Sequence, residues 1–131
     1  MERTDIGPRY FGGKLGYNHA VLLAGPQRWL VVSGHEARDA EGAIAHPGDV
    51  CGQLRLTFQR LDETLREADF ALRDIVQLRL FTTDIAAVTA HYDVVTDVLD
   101  AAGCRPASLL AEVAALSDPG MLVEIEALAA R

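Results

Sequence analysis

The sequence is poor in the features that mark secreted, disulfide-linked or membrane-spanning proteins. It has two cysteines, Cys51 and Cys104, and no CxxC motif, so neither a disulfide framework nor a zinc site is indicated. No apolar run is long enough to cross a bilayer. The N-terminal stretch MERTDIGPRYFGG is polar and mixed in charge, unlike a secretory signal. We therefore expect a cytoplasmic protein with free thiols and no bound metal.

Positive charge is also scarce. Twelve lysines and arginines stand against 19 acidic residues, the net charge is −7, and no basic cluster is present. Nucleic acids and anionic membranes bind through basic surfaces, so we expect neither as a partner. The composition, 50% hydrophobic and 24% charged, is that of an ordinary globular protein. The length predicts a single domain over residues 1–131.

Hydrophobic periodicity predicts the order strand, strand, helix, strand, helix, strand, strand. The stretch GYNHAVLLAGPQRWLVVSG holds two apolar runs separated by GPQ, which favours a hairpin. A helix is predicted from an N-cap at Asp49 to about Ala68, and a second from Ile85 to a stop at Gly103. IVQLRLFTT reads as a strand between them. SLLAEVAAL and MLVEIEALA are predicted to form two final strands joined by a turn at SDPG.

Two helices cover only one face of a sheet of this size. The uncovered face would still carry leucine, valine and tryptophan side chains. A sheet face of that kind is unstable in water, so we expect a homo-oligomer that buries it.

Several segments, in this order and spacing, resemble the Rid family, the reactive intermediate deaminases, also called YjgF-like proteins. The matching segments are GYNHAV, VVSG, HPGDV, LRDIVQLRLFTTD, RPAS, EVAAL and VEIEALA. The resemblance covers the chain from about Gly16 to Ala129. It implies a chorismate-mutase-like α+β fold with a mixed sheet and two helices on one face. It also implies a homotrimer with a small-molecule cleft at each subunit interface.

The resemblance also assigns residues, with one departure from the family pattern. Active members read Pro-Ala-Arg-Ser, and that arginine binds the carboxylate of an imine derived from an amino acid. Here Ser108 stands in the place of the arginine, and Arg105 precedes the proline. A hydroxyl cannot replace a bidentate guanidinium for a carboxylate. The family's water-positioning glutamate matches Glu124, its first-strand tyrosine matches Tyr17, and an asparagine of the second helix is replaced by Thr89.

Glu112, Glu124 and Glu126 are expected on one side of paired strands, by alternation. If an interface buries that side, clustered carboxylates must find partners or rise in pKa, which would suit a general acid or base. We interpret Glu112 and Glu126 as structural. Glu124 is the candidate catalytic group because of the family match.

Other polar groups have two interpretations each. Arg79 is either a relocated anion clamp or an ion-pair partner of the glutamates. His35 follows Gly34 at the strand end where the family cleft begins, and is either a proton-transfer group or the donor of one structural hydrogen bond. The backbone of Gly34 and of the stretch from Arg105 to Ala107 is assigned to substrate orientation.

These features lead to two functional hypotheses. One is a divergent Rid-type enzyme that acts on a small carbonyl or imine metabolite by hydrolysis or proton transfer, without a cofactor. Glu124, Tyr17 and His35 would be catalytic, and Ser108, Arg105, Ala107, Gly34, Arg79 and Thr89 would bind the substrate. The other is a trimer that binds a small molecule, or supports a partner enzyme, without turnover.

Overall fold

The computed structural model describes residues 1–131, and its helices and strands follow the predicted order with one strand added at the N-terminus. A 3₁₀ turn, Leu72–Asp74, precedes β4. The six strands are β1 (Glu2–Phe11), β2 (Lys14–Ala24), β3 (Trp29–His35), β4 (Ile75–Thr82), β5 (Ala107–Glu112) and β6 (Val123–Ala130). The three helices are α1 (Val50–Glu67), α2 (Ile85–Ala90) and α3 (Tyr92–Ala102).

The strands form one mixed sheet in the order β1-β2-β5-β4-β6-β3. The central strand β4 runs parallel to β5 and antiparallel to β6. The fold is thus α+β, as predicted. The last two strands do not pair across the predicted turn, because β4 lies between β5 and β6.

The added strand β1 is polar, which is why periodicity did not reveal it. It pairs antiparallel with β2 along nearly its whole length, from Glu2 opposite Ala24 to Phe11 opposite Lys14. Gly12 and Gly13 form the two-residue connection, with φ of 58° and 81°. Two consecutive positive φ angles are what a type I′ hairpin turn requires, and glycine adopts them without strain.

The predicted hairpin between β2 and β3 is wrong. β2 pairs with β1 and β5, whereas β3 forms the opposite edge of the sheet beside β6. Arg3 donates to the carbonyl oxygens of Arg73, Ile75 and Arg105, which holds the β1–β2 ribbon against the starts of β4 and β5. The apolar runs were identified correctly, but their partners lie far away in sequence.

The helices pack on one face of the sheet and form the core with it. Asp49 caps α1 by accepting from the Gly52 amide at 3.0 Å, as predicted. The apolar stripe of α1 is fully buried against the sheet: Val50, Leu54, Phe58, Leu61 and Leu65. The second predicted helix is interrupted at His91, where φ of −119° separates α2 from α3. No helix has the length and apolarity needed to span a membrane.

The opposite face of the sheet, here called the open face, is uncovered in the single chain. Val31 is 83% exposed there, and Trp29 and Leu109 are about half exposed. These side chains alternate with core residues such as Val32, so their exposure follows from strand geometry. Both cysteines are free thiols, and burial raises the pKa of Cys104 to about 12, so this thiol stays protonated.

Candidate functional site

A groove of about 670 Å³ opens on the helix side of the sheet, between the β1–β2 turn, the two short helices and β5. Its volume is typical of small-molecule sites. Three of the predicted site residues, Tyr17, Thr89 and Ser108, come together in it. The other lining residues are Phe11, Gly12, Tyr92, Asp93, Thr96, Leu109 and Leu110.

The polar groups of this groove are hydroxyls and one carboxylate. The side-chain hydroxyls of Tyr17, Thr89 and Ser108 make no hydrogen bond within the chain, so they are available to a ligand. Burial, and secondarily Tyr17, raises the pKa of the Tyr92 phenol, which therefore stays neutral near pH 7. No lysine, arginine or histidine lines the groove. Ser108 therefore has no cationic side chain beside it in the groove.

The two arginines considered as substitutes are engaged elsewhere. Arg105 donates to Asp5 of β1 at 2.5 Å, with the Asp5 side chain mostly buried and Arg105 about half exposed. Arg79 lies on the open face and pairs with Glu126 at 2.8 Å, on the neighbouring strand β6. Neither guanidinium lines the groove. The backbone of Ala107 also has partners within the chain, because it lies in the sheet between β2 and β4.

Glu124 lies on the open face, next to Gly34 of β3. A Cβ placed on Gly34 would approach the Glu124 Oε1 atom to 2.4 Å, so a larger residue there would force this carboxylate to move. Partial burial raises the pKa of Glu124, and the negative charges of Glu36 and Glu126 raise it further. His35 lowers the pKa of Glu124, and its effect is the smallest of these. A carboxylate of raised pKa is a better proton acceptor than an ordinary surface glutamate.

Within one chain, the predicted site residues therefore form two groups on opposite faces. Ser108 pairs with Leu78, which is buried under the helices, whereas Glu124 pairs with Phe81 on the open face. Tyr17 and Thr89 belong to the Ser108 group, and Gly34 belongs to the Glu124 group. The two groups can share one cleft only if different subunits supply them.

Both ring nitrogens of His35 are engaged within the chain, one on its own strand and one on the helix layer. Its Nδ1 lies 2.7 Å from the Ser33 carbonyl oxygen, and its Nε2 lies 2.7 Å from the Thr64 hydroxyl of α1. A carbonyl oxygen only accepts, so Nδ1 carries the proton and, in the neutral ring, Nε2 accepts from Thr64. This arrangement joins β3 to α1 and leaves no free nitrogen for a substrate.

The expectation that three strand glutamates share one side is wrong for Glu112. Its partner on β4 is Thr82, which faces the helices, so Glu112 lies on the opposite face from Glu124 and Glu126. Its Oε1 accepts from the Ile85 amide at 3.0 Å, in the first turn of α2. Glu112 is therefore a structural cap for that short helix.

Sequence reasoning missed the aromatic and acidic part of the groove. Phe11 and Gly12 lie at a turn that was not predicted, and Tyr92 packs against the hydrophobic core while it also lines the groove. Asp93 follows Tyr92 directly, and only the interruption at His91 sets the direction of both side chains. The interruption itself has no strong sequence signal.

Comparison with known proteins agrees with this fold. The chain is 32% identical to the mitochondrial protein mmf2 of Schizosaccharomyces pombe over 114 residues, covering 87% of this chain and 86% of mmf2. The Rid-family protein YyfB of Yersinia pestis is 29% identical, with a TM-score of 0.84 over the full length of both chains. TdcF of E. coli, solved with bound serine, is 25% identical, with a TM-score of 0.71 over 98% of this chain and 95% of TdcF. The family model described as Endoribonuclease L-PSP matches residues 12–131. The chain therefore belongs to this family, which contains the Rid and YjgF-like proteins.

Proposed function

We propose that the protein is a homotrimeric enzyme that hydrolyses a small imine, or acts by proton transfer on a related carbonyl metabolite, in clefts between its subunits. The observation that carries the proposal is the Glu124 carboxylate. It has a raised pKa, it lies on an exposed sheet face, and Gly34 keeps space open around it. Family membership supports the same chemistry, since Rid proteins as a family relate to imine deamination or small-molecule binding.

Assembly through the open face would complete the site. The exposed apolar side chains Trp29, Val31 and Leu109 need a partner surface, and a second copy of the chain supplies one. In such an assembly Glu124 and Gly34 of one subunit would meet the groove containing Tyr17 and Ser108 of the next. This would account for the separation of the two groups within one chain.

In the proposed reaction, Glu124 acts as the general base. It accepts a proton from a water molecule as the water attacks the imine carbon, and it returns the proton to the nitrogen. The C–N bond then breaks, so an imine and water give a carbonyl compound and ammonia. The Tyr17 and Ser108 hydroxyls would orient the substrate through hydrogen bonds.

The substrate is expected to differ from the amino-acid imines typical of the family. TdcF was solved with serine, an amino acid that carries a carboxylate. The groove of this chain has no cation to bind such a group. Desolvating a carboxylate without a cationic partner is costly, so the usual substrates should react poorly.

A second candidate is a trimer that binds a small molecule without turnover. Its support is Ser108, which removes the substrate clamp, and the commitment of Arg79 and Arg105 to other partners. The elevated pKa of Glu124 favours the enzyme, because a binding protein has no need of a proton acceptor there.

The test is a hydrolysis assay in which imines are generated in situ by amine or amino-acid oxidation, with ammonia and carbonyl product measured. Glu124→Gln should abolish turnover, because the amide keeps the shape and loses the basicity. Glu126→Gln is the matched control on the same face of the same strand. Ligand binding with no acceleration for any imine would reject the enzyme and favour the binding protein.

A further inference from the structure

We propose that the groove selects a small organic cation, the protonated imine of a primary amine, in place of the anionic imine of an amino acid. This inference rests on the proposed function and names its substrate class. Three aromatic rings, one unpaired carboxylate and the lack of any basic side chain in the groove together support it.

The aromatic part is a continuous wall centred on Phe11. The Phe11 ring lies 6.2 Å from the Tyr17 ring, tilted by 37°, and 6.1 Å from the Tyr92 ring, nearly perpendicular at 83°. Rings at different inclinations offer π faces to a ligand in the groove from more than one direction. Aromatic faces attract cations within about 6 Å of the ring centre.

Asp93 supplies the only formal charge among the lining residues. Its carboxylate makes no ion pair and no side-chain hydrogen bond within the chain, and the residue is exposed at the mouth of the groove. Lys14, which follows the β1–β2 turn, pairs with Asp97 one turn further along α3, and the pKa of Lys14 is raised by Asp97 and also by Asp100 and Asp93. Asp100 lies beyond Asp97 on the same helix. The groove mouth is therefore negative, and the net charge of −7 adds to that potential.

A protonated imine of the form R–CH=NH₂⁺ matches each of these features. Its positive nitrogen would lie near Asp93 and the rings, and its N–H groups would donate to the hydroxyl oxygens of Ser108 or Thr89. Water adds to the carbon and ammonium leaves, so R–CH=NH₂⁺ and H₂O give R–CHO and NH₄⁺. The reaction that supplies this substrate must be a two-electron oxidation of a primary amine.

The direct test measures binding without turnover, using three probes of similar shape and different charge. The probes are choline, its uncharged carbon analogue 3,3-dimethylbutan-1-ol, and 3,3-dimethylbutanoate, titrated into the full-length protein by calorimetry. We expect choline to bind roughly tenfold more tightly than the alcohol, the combined effect of the rings and one carboxylate. The carboxylate probe should bind most weakly. Equal binding of choline and the alcohol would overturn the inference.

Variants distinguish binding in the groove from a general effect of the protein's negative charge. Asp93→Asn should remove most of the preference for choline, whereas Asp100→Asn, which removes the same charge from the same helix outside the groove, should keep it. Phe11→Leu should also reduce the preference while leaving the alcohol affinity within about twofold. If Asp100→Asn and Asp93→Asn lower choline affinity equally, the effect comes from net charge and the proposed site is wrong.

The outcome also distinguishes this inference from the proposed function. Hydrolysis of uncharged imines by a protein with no choline preference would keep the function and reject the cation site. A clear choline preference in a protein that hydrolyses no imine would reject the enzymatic function, and leave the groove as a cation-binding site. Faster hydrolysis of amine-derived than of amino-acid-derived imines, lost in Asp93→Asn, would support both.

Discussion

The carboxylate of Glu124 and the hydroxyl of Ser108 lie on opposite faces of one sheet, on strands separated by β4. This relationship follows from register: Ser108 is opposite Leu78, and Glu124 is opposite Phe81 on the same central strand. Side chains of adjacent strand residues point to opposite faces, and Leu78 and Phe81 are three positions apart on β4. Their partners Ser108 and Glu124 therefore lie on opposite faces. A site that uses both groups therefore requires a second copy of the chain.

The first prediction concerns assembly. We expect light scattering after size exclusion to give three times the chain mass of 14.2 kDa. Val31→Glu should dissociate this assembly, because it places a charge on the open face, where the valine is 83% exposed in a single chain. Gln59→Glu, on the exposed side of α1, is the control and should remain assembled. A wild-type protein that stays monomeric at all concentrations would contradict the prediction.

The second prediction concerns the stability cost of Glu124. Its pKa is raised in the folded state, so the folded protein binds a proton more tightly than the unfolded chain does. The free energy of unfolding therefore decreases as pH rises through the pKa of Glu124 in the unfolded chain and then through its pKa in the folded protein. At pH values below both, Glu124 does not destabilise the fold. Glu124→Gln should raise the melting temperature at pH 7 and leave it nearly unchanged near pH 4. Destabilisation at pH 7 would mean that the charged form is stabilised by contacts with the protein.

The third prediction concerns the pH dependence of the rate and the effect of Glu126 on Glu124. If Glu124 is the base, the rate falls at low pH as this group becomes protonated. The charge of Glu126 raises the pKa of Glu124, so Glu126→Gln should move the acid limb of the profile to lower pH. Arg79 loses its partner in this variant, so Arg79→Gln serves as the control for the broken ion pair. An acid limb that does not move would contradict the assignment of Glu124.

The fourth prediction concerns Gly34. An added methyl group would lie 2.4 Å from Glu124 Oε1 and displace that side chain, so Gly34→Ala should lower the rate by at least about tenfold with the fold retained. Gly120→Ala is the matched control, since its nearest contacts are 3.4 Å away and its φ is not positive. Kinetics and thermal melts of both variants give the answer. Full activity in Gly34→Ala would exclude a role for the position of Glu124.

The sequence predicts local elements of this fold well and distant pairings poorly. The cap at Asp49 and the stripe of α1 depend on residues within one helix, so spacing was sufficient. The placement of β3 beside β6 depends on contacts about 100 residues apart, and no local signal encodes it. In the site, Tyr17 and Ser108 were matched through family resemblance, and both line the groove. Asp93 was missed because its direction depends on the helix interruption at His91.

The last prediction returns to Ser108. Ser108→Arg should increase the hydrolysis of amino-acid imines, measured as ketoacid release, because a guanidinium in the groove would bind the substrate carboxylate. Hydrogen bonds to charged groups contribute about 1.5–3 kcal/mol each, which corresponds to roughly tenfold or more in kcat/KM. Ser108→Lys adds the same charge without the bidentate geometry and should give a smaller gain. The same variants should lose the preference for choline, because the new cation lies in the groove that contains Asp93. High wild-type activity on amino-acid imines would contradict this reasoning, since it would require a cation from the neighbouring subunit to bind the carboxylate.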